Sequence, residues 1–472
     1  MEKRDLLIKR VLGKITPGKV DRVKVESISK DLVSKVSFAC KLEGIDAVVR
    51  VEGSVAKDTW LRENPDIDVF VRLPTSIPRA NLGEVGLKVA RKAAEGLLQV
   101  ERFAEHPYLE VLVDGYWADI VPCYDAAPGE WRSATDRTPY HTDYVIRHLK
   151  ADLRGQVRLL KKFMQAIGVY GAEIKVGGFS GYLCELLIMR YGSFVETLEA
   201  FASYDRGLVV DIEGFYAQRQ RELSLLFGEA LIVVDPVDRG RNVASAVKPE
   251  KLYLFVGAAR AFLKKSGWEF FDPPEMRVLS VEDLKRQLSA RGSSMVFVVV
   301  DQVGAVPDVI WGQLYRTVRS LRKVLQLSDF KVLRSSVWSD ENAVSVFVFE
   351  LEQRTLSGVR RHVGPPLERK SESEHFLDKY AGNKAAFSGP YVEDGRWVVE
   401  IPRKTTDAVA LLVEKLADGG KGVGVASLIA GSIRAGFEVL VDDEIAKRYG
   451  ASVDFARFLT DFLAGRPFWL VL

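Results

Sequence analysis

Between residues 19 and 44, Val, Ile and Leu recur at helical spacing, and the next apolar stretch, Ala47–Val51, is short enough for a strand running into Gly53-Ser54. A second strand is expected over Asp66–Leu73, with Pro74 and Pro78 punctuating the loop behind it, and residues 82–98 carry a helical period. Leu109–Val113 and Trp117–Val121 read as two strands joined by a tight Asp114-Gly115 turn. Residues 1–145 therefore predict an α+β or α/β domain. Residues 146–268 are mainly helical, most clearly over Val157–Ile167, Tyr182–Tyr191 and Lys251–Lys264, with one short strand at Leu231–Val234. Within 269–384 the order changes to strand (Met295–Val300), amphipathic helix (Val306–Leu327), strand (Lys331–Val337), strand (Ala343–Leu351), the pattern of a ferredoxin-like α+β body. Residues 385–472 form a mixed tail ending in the apolar Phe468–Leu472, expected to be a strand returning to that body. The fold class expected is α+β multidomain.

At 472 residues, 47% of them hydrophobic, the chain has the length for several globular domains. It has no apolar run near the roughly 18–20 residues that a membrane span needs. The N-terminal MEKRDLLIKRVLGK lacks a long apolar core, so no signal peptide and no membrane partner are expected, and the location expected is the cytoplasm. Cys40, Cys123 and Cys184 stand far apart in apolar company, as reduced core thiols do. The net charge of +3 neither requires nor excludes a nucleic acid, since clustering of positive charge matters more than its sum.

The informative stretch is GSVAKDTWLRENPDIDVFVRL, residues 53–73. In a strand, residues two apart lie about 6.6–6.8 Å apart on one face. Asp66 and Asp68 thus face together while Ile67 and Val69 turn to the core. Such a pair suits divalent ions spaced roughly 3.5–4 Å apart, as in-line phosphoryl transfer uses, and Mg²⁺ matches carboxylates that share it with phosphate oxygens. Asp119, an acid inside the apolar strand of YWADIVPCY, is the candidate third ligand, because a charge there is costly unless paired or metal-bound. A lone D-x-D is more often a polar strand edge; the upstream Gly-Ser and the later strand-borne Asp change that balance. Gly53 permits close backbone approach to a ligand, the Ser54 hydroxyl can donate to phosphate, and Lys57 adds charge nearby.

Gly-Ser, D-x-D and a later lone Asp resemble the DNA polymerase β-like nucleotidyltransferase superfamily. EHPY (105–108), ADIVPCY (118–124), DRTPYH (136–141), VRLLKKF (157–163), YGAEIKVGGFSGYLCELLI (170–188) and VDPVDRGRNVA (234–244) narrow the resemblance to the archaeal-type, class I CCA-adding enzymes. That resemblance implies addition of C, C and A to a tRNA 3′ end from CTP and ATP, with two Mg²⁺ ions held by Asp66, Asp68 and Asp119. It implies triphosphate contacts from Ser54, His141, Lys161 and Tyr170, and from Lys57 where the family often has arginine, a substitution that keeps the charge but loses the fork of donors. It places Arg241 on the incoming base, with Glu105 and His106 beside the active site. Read without the resemblance, Lys161 is an ordinary helix lysine, Tyr170 a core or surface aromatic, His141 a helix-start residue, and Arg241 a partner for Asp235 or Asp238.

RNA contact is expected beyond the catalytic segment. On the helix over 314–325, Leu314, Val318, Leu321 and Leu325 form the buried stripe, while Arg316, Arg319 and Lys323 fall on another face. Arg334 and the basic run Arg354, Arg360, Arg361, His362 and Arg369 are further candidates for phosphate contacts, which position a duplex without reading its sequence. The resemblance also implies a homodimer. The competing readings are a poly(A)-type or oligoadenylate-type transferase on the same scaffold, and an inactive RNA-binding relative.

Overall fold

The computed structural model describes residues 2–103, 105–205, 207–301 and 304–470. The chain forms two compact units, residues 1–275 with 466–472, and residues 276–465.

In the first unit the helices are α1 (Glu2–Ile15), α2 (Lys19–Leu42), the single turn α3 (Gly53–Ala56), α4 (Leu82–Ala93), α5 (Thr138–His148), α6 (Arg154–Ala166), α7 (Gly181–Tyr191), α8 (Phe194–Ala202), α9 (Gln220–Leu226) and α10 (Pro249–Lys264). Five strands, β1 (Val48–Glu52), β2 (Ile67–Leu73), β3 (Leu98–Phe103), β4 (Pro107–Val113) and β5 (Tyr116–Tyr124), form one sheet in the order β1-β2-β5-β4-β3. Only β2 and β5 pair parallel. The hairpin expectation holds and the helix expected over 82–98 is present but ends at Ala93; β3, an exposed edge strand, was not expected. Asp114 and Gly115 both have positive φ (50° and 84°), as a two-residue hairpin turn requires.

Alternation along the strands divides the sheet. Ile67, Val69, Val71 and Leu73 of β2, with Leu109, Val111, Val113, Ala118 and Ile120, pack under Leu32 and Val36 of α2 and Val89 and Ala90 of α4. The opposite face, bearing Asp68 and Asp119, carries only a small apolar patch of Phe70, Val121 and Cys123. The rest of the unit is a helical assembly of α1, α6, α7, α8 and α10 around an aromatic core that includes Phe163, Phe194, Phe255 and Phe262. It also contains a small sheet of β6 (Leu208–Val210), β7 (Leu231–Asp235) and β8 (Asp238–Asn242).

The second unit carries α11 (Val281–Arg291), β9 (Ser294–Asp301), α12 (Pro307–Leu327), β10 (Val332–Ser339), β11 (Val344–Leu351), β12 (Val359–Pro366), α13 (Lys370–Tyr380), β13 (Ser388–Glu393), β14 (Arg396–Pro402) and β15 (Phe437–Val441). The expected strand–helix–strand–strand order is present, and β15 completes an antiparallel sheet, β10-β11-β9-β15. Both faces are covered, one by α12 with helices 408–416 and 427–435, the other by α11 with helix 453–464. That explains the unbroken apolar run Met295–Val300, since a strand buried on both sides has no polar face to show. The strand that joins this sheet from the tail is therefore β15, not the C-terminal stretch. Phe468–Leu470 is a single 3-10 turn whose Trp469 packs into the first unit's aromatic core, where Gly257 leaves room for the indole; Val471 and Leu472 lie outside the described residues. Cys40, Cys123 and Cys184 are buried and form no disulfide, and no described helix is long and apolar enough to cross a membrane.

Candidate active site

Strand register assembles the acidic half of the site. Asp68 stands opposite Asp119 across the parallel β2–β5 pair, Glu52 opposite Asp68 across β1–β2, and Glu110 opposite Asp119 across β4–β5. Residues opposite one another project to the same face, so four carboxylates form a row across four strands on the face away from α2 and α4. Asp66 joins it from just before β2, at the open rim. Burial, then the charges of Asp119 and Asp66, pushes the Asp68 carboxyl up to about 8. Burial, then Glu110 and Asp66, pushes Asp119 up to about 7, and burial raises Asp66. Lys57 on Asp68 and Lys161 on Asp66 oppose these shifts without cancelling them.

Oxygen donors with uncompensated negative charge fit a divalent cation. Among the described residues no group of three or more His, Cys, Asp or Glu side chains is arranged to hold a metal ion. A divalent ion at the row would need phosphate oxygens and water as further ligands. The outer carboxylates, Glu52 and Glu110, were not singled out from sequence. Glu110 is occupied by Arg102 at 2.8 Å. Glu52 is wholly buried beside Arg50, whose Nε lies 2.6 Å from its Oε1, and burial pushes its carboxyl up to about 7.

Gly53 is required twice over. Its φ of 67° belongs to the left-handed region, and a Cβ there would lie 2.0 Å from Asp68 Oδ2. Its N–H donates to Thr142 Oγ1 at 3.3 Å, tying the turn to α5. The buried Ser54 Oγ finds no hydrogen-bond partner among the described residues, as expected of a hydroxyl that meets a ligand oxygen.

The basic half comes from Lys57, at the end of the α3 turn, from α5, and from the helical part of the same unit. Lys57 and Lys161 are buried, Lys57 Nζ lying 2.6 Å from Glu185 Oε2 and Lys161 Nζ 3.2 Å from the Thr59 carbonyl. Tyr170 bridges to Phe179, and its hydroxyl shares with Lys161 Nζ the space that Gly181 leaves free. His141 stacks on Tyr182 with ring centroids 4.1 Å apart. Its Nε2 lies 2.9 Å from Asp235 Oδ2, and Arg241 Nη1 reaches the same oxygen at 2.8 Å. Tyr182 OH donates to Asp235 Oδ1 at 3.2 Å. Arg241 does pair with Asp235, yet its side chain stays about one-third exposed (36%), leaving donors free for another partner. Thr59, Tyr182 and Glu185 were missed because each gains its role only through partners distant in sequence, and Asp235 was read only as a partner for Arg241, not for His141 or Tyr182. The available signals were single acids inside apolar runs, YLCELL and LIVVD.

Glu105 and His106 hold the segment before α5. Glu105 accepts from Arg79 at 2.7 Å and from the Ala134 N–H at 2.5 Å, and His106 Nε2 lies 3.0 Å from Thr135 Oγ1, so both brace the 133–136 turn that leads into α5.

In the second unit, the stripe Leu314, Val318, Leu321 and Leu325 is buried, and Arg316, Arg319 and Lys323 are exposed. Arg334 is instead committed to the fold. Its Nε donates to Glu350 at 2.8 Å and its Nη1 to the Phe462 carbonyl at 2.6 Å, with its guanidinium over the Phe462 ring. Arg360 pairs with Asp329 at 3.1 Å and Arg361 with Glu393 at 2.5 Å, which leaves both partly neutralised.

Residues 11–141 match the nucleotidyltransferase domain, residues 155–272 the second domain of tRNA nucleotidyltransferases, and residues 291–442 the C-terminal domain of CCA-adding enzymes. The CCA-adding enzyme of Methanosarcina acetivorans is 37% identical over 440 residues, covering 93% of this chain and 94% of that one. The chain belongs to the CCA-adding enzyme family. The family's enzymes from Methanothermobacter thermautotrophicus (36% identity; 96% of this chain, 97% of that one) and Methanopyrus kandleri (35%; 98% and 97%) are similar along nearly their whole length as well. In this family's terms, the acidic row lies within the nucleotidyltransferase domain and the Lys161–Tyr182–Arg241 group within the second domain.

Proposed function

We propose that this chain adds CMP, CMP and AMP, from CTP and ATP, to the 3′ end of tRNA without a template, releasing pyrophosphate. The observation that carries this is the register pairing of Asp68 with Asp119 beside Gly53, in a chain of the CCA-adding family. Asp66, Asp68 and Asp119 would hold two Mg²⁺ ions; when bound, such ions stabilise charge on the attacking 3′-oxygen and on the departing pyrophosphate. The protein's own groups do the rest. The Gly53-Ser54 turn lets phosphate approach the sheet edge, with the Ser54 hydroxyl as donor. Lys57, Lys161, His141 and Tyr170 surround the triphosphate, and buried donors that need no reorganisation act strongly on developing charge. Arg241 offers donors to cytosine N3/O2 or adenine N1, and Asp235 fixes its direction.

Residues 1–145 carry the chemistry, 146–268 read the nucleotide, and 269–384 contact the tRNA, with 385–472 as a tail. Arg316, Arg319 and Lys323, exposed on α12, contact backbone phosphates, with Arg360 and Arg361 as weaker contributors. On this reading the enzyme works in the cytoplasm, as a homodimer.

The test is incorporation of labelled CTP, ATP, GTP and UTP into tRNA lacking its CCA end, with Mg²⁺ present. Two C residues followed by one A, with GTP and UTP refused, is the expected product. An A-only tail would make the chain a poly(A)-type transferase. Tight tRNA binding with no incorporation would make it an inactive relative.

A further inference from the structure

One buried acid belongs neither to the carboxylate row nor to the group around Asp235. Glu185, on α7, is wholly inaccessible (0%), and its two oxygens serve different partners. Lys57 Nζ donates to Oε2 at 2.6 Å, and Thr59 Oγ1 donates to Oε1 at 2.5 Å. Lys161 Nζ lies 3.8 Å from Oε1 and donates to the Thr59 carbonyl at 3.2 Å. Glu185 and Thr59 together thus hold two ammonium groups that come from positions 57 and 161.

Two ammonium groups share this one carboxylate. Buried charges are tolerated when paired, and the unmatched positive charge lies toward Asp66 and Asp68, the residues that feel Lys161 and Lys57. A lysine is a point charge on a flexible stem, without the planar fork by which arginine fixes its own direction. At position 57 that direction has to come from outside, and Glu185 supplies it, with the Tyr182 ring 5.7 Å from Lys57 Nζ. The backbone beneath is secured independently. Arg158 donates to the Trp60 carbonyl at 2.8 Å and to the Asp58 carbonyl at 2.6 Å, so the 57–60 segment does not depend on Glu185 for its course.

We infer that Glu185 is a positioning residue for the nucleoside triphosphate, aiming the Lys57 and Lys161 ammonium groups at the phosphates above the Gly53-Ser54 turn. The inference rests on the reading of those lysines as triphosphate ligands. Glu185 touches no substrate; it acts through the lysines.

The experiment compares the wild-type chain with Glu185→Gln, Thr59→Val and Lys161→Met. It measures KM for CTP and ATP, the inhibition constant of pyrophosphate, Kd for tRNA and the melting temperature. Glu185→Gln should raise the nucleotide KM and the pyrophosphate constant together, by about tenfold or more, because an ion pair that orients a ligand group is replaced by a neutral contact. The tRNA Kd should stay within about twofold, because tRNA is held elsewhere. Pyrophosphate has no base, so a parallel shift in its constant separates phosphate positioning from general loosening of the fold. If Lys161→Met weakens nucleotide and pyrophosphate binding while Glu185→Gln does not, the inference is overturned and the triphosphate reading stands. If Lys161→Met leaves both constants unchanged, the triphosphate reading itself falls, and the inference with it. Should Glu185→Gln fail to fold, Thr59→Val decides. It loosens Glu185 without removing a charge, and should shift both constants the same way by about threefold; unchanged constants would overturn the inference.

Discussion

His141 and Arg241 meet on one atom: the histidine Nε2 lies 2.9 Å and the arginine Nη1 2.8 Å from the same oxygen, Oδ2 of Asp235. A residue assigned to the phosphates and a residue assigned to the base are therefore held by one buried acid. The Asp235 carboxyl stays below its ordinary range; burial alone would raise it, but the hydrogen bond and charge of His141, then Arg241, outweigh that. Asp235→Asn should lower kcat/KM for both CTP and ATP by about 10–100-fold, the worth of a charge-assisted hydrogen bond. It should also raise the share of GTP and UTP misincorporated. Steady-state kinetics with all four nucleotides check this, and unchanged selectivity would remove Asp235 from base reading.

Gly53→Ala should slow transfer by about a hundredfold while the chain stays folded. A methyl group at that position would displace the Asp68 carboxylate or the turn by an ångström or more. Misplacement on that scale costs on the order of 10²-fold in rate. Single-turnover transfer, with circular dichroism as the folding control, is the measurement.

Asp119→Asn should trade activity for stability. Losing one carboxylate forfeits several kcal/mol of charge stabilisation, a fall of about a thousandfold in kcat. The same change relieves repulsion with Glu110, Asp66 and Asp68. The melting temperature in EDTA should therefore rise above wild type. A lower melting temperature would mean that the row is not electrostatically crowded.

Glu350 gives the second unit an acid-sensitive brace. Burial alone would raise its carboxyl, but hydrogen bonds from Arg291, Ser293 and Arg334 outweigh that and hold it below its ordinary 4.5. A folded-state value lower than the unfolded one adds stability above about pH 4.5, and that stability is lost as the pH falls through the folded value. Glu350→Gln should cost about 1.5–3 kcal/mol at pH 7. Its deficit relative to wild type should shrink below pH 4.5, which urea unfolding between pH 7 and 3 would follow.

Legibility of the sequence followed distance along the chain. Asp66, Asp68 and Asp119 could be read because period-two alternation states which face a strand residue takes, and the observed register put Asp68 beside Asp119. Thr59 and Glu185 were silent because their partners lie up to 128 residues away, and a single acid in an apolar run does not name its counter-ion; Asp235 was legible as a partner for nearby Arg241 but not for His141. The partners of Arg334 were silent for the same reason, since nothing near it in sequence announces Glu350 or Phe462. β3 went unread because an exposed edge strand bearing Glu101 and Arg102 lacks the alternation that a buried face imposes. The body sheet's fourth strand was placed at the wrong segment because the C-terminal stretch and Phe437–Val441 are both short and largely apolar, and only packing distinguishes them.

The pairing of β15 with β9 sets an order of events during synthesis. β9 is complete at Asp301, but its outer neighbour begins only at Phe437. Until that point of the chain has emerged from the ribosome, an all-apolar strand keeps one row of amides and carbonyls unpaired. Pairings this far apart in sequence form slowly, and open apolar edges are where nascent chains associate wrongly. The second unit is thus most vulnerable to aggregation late in translation, after its sheet is three-quarters built and before its last strand arrives.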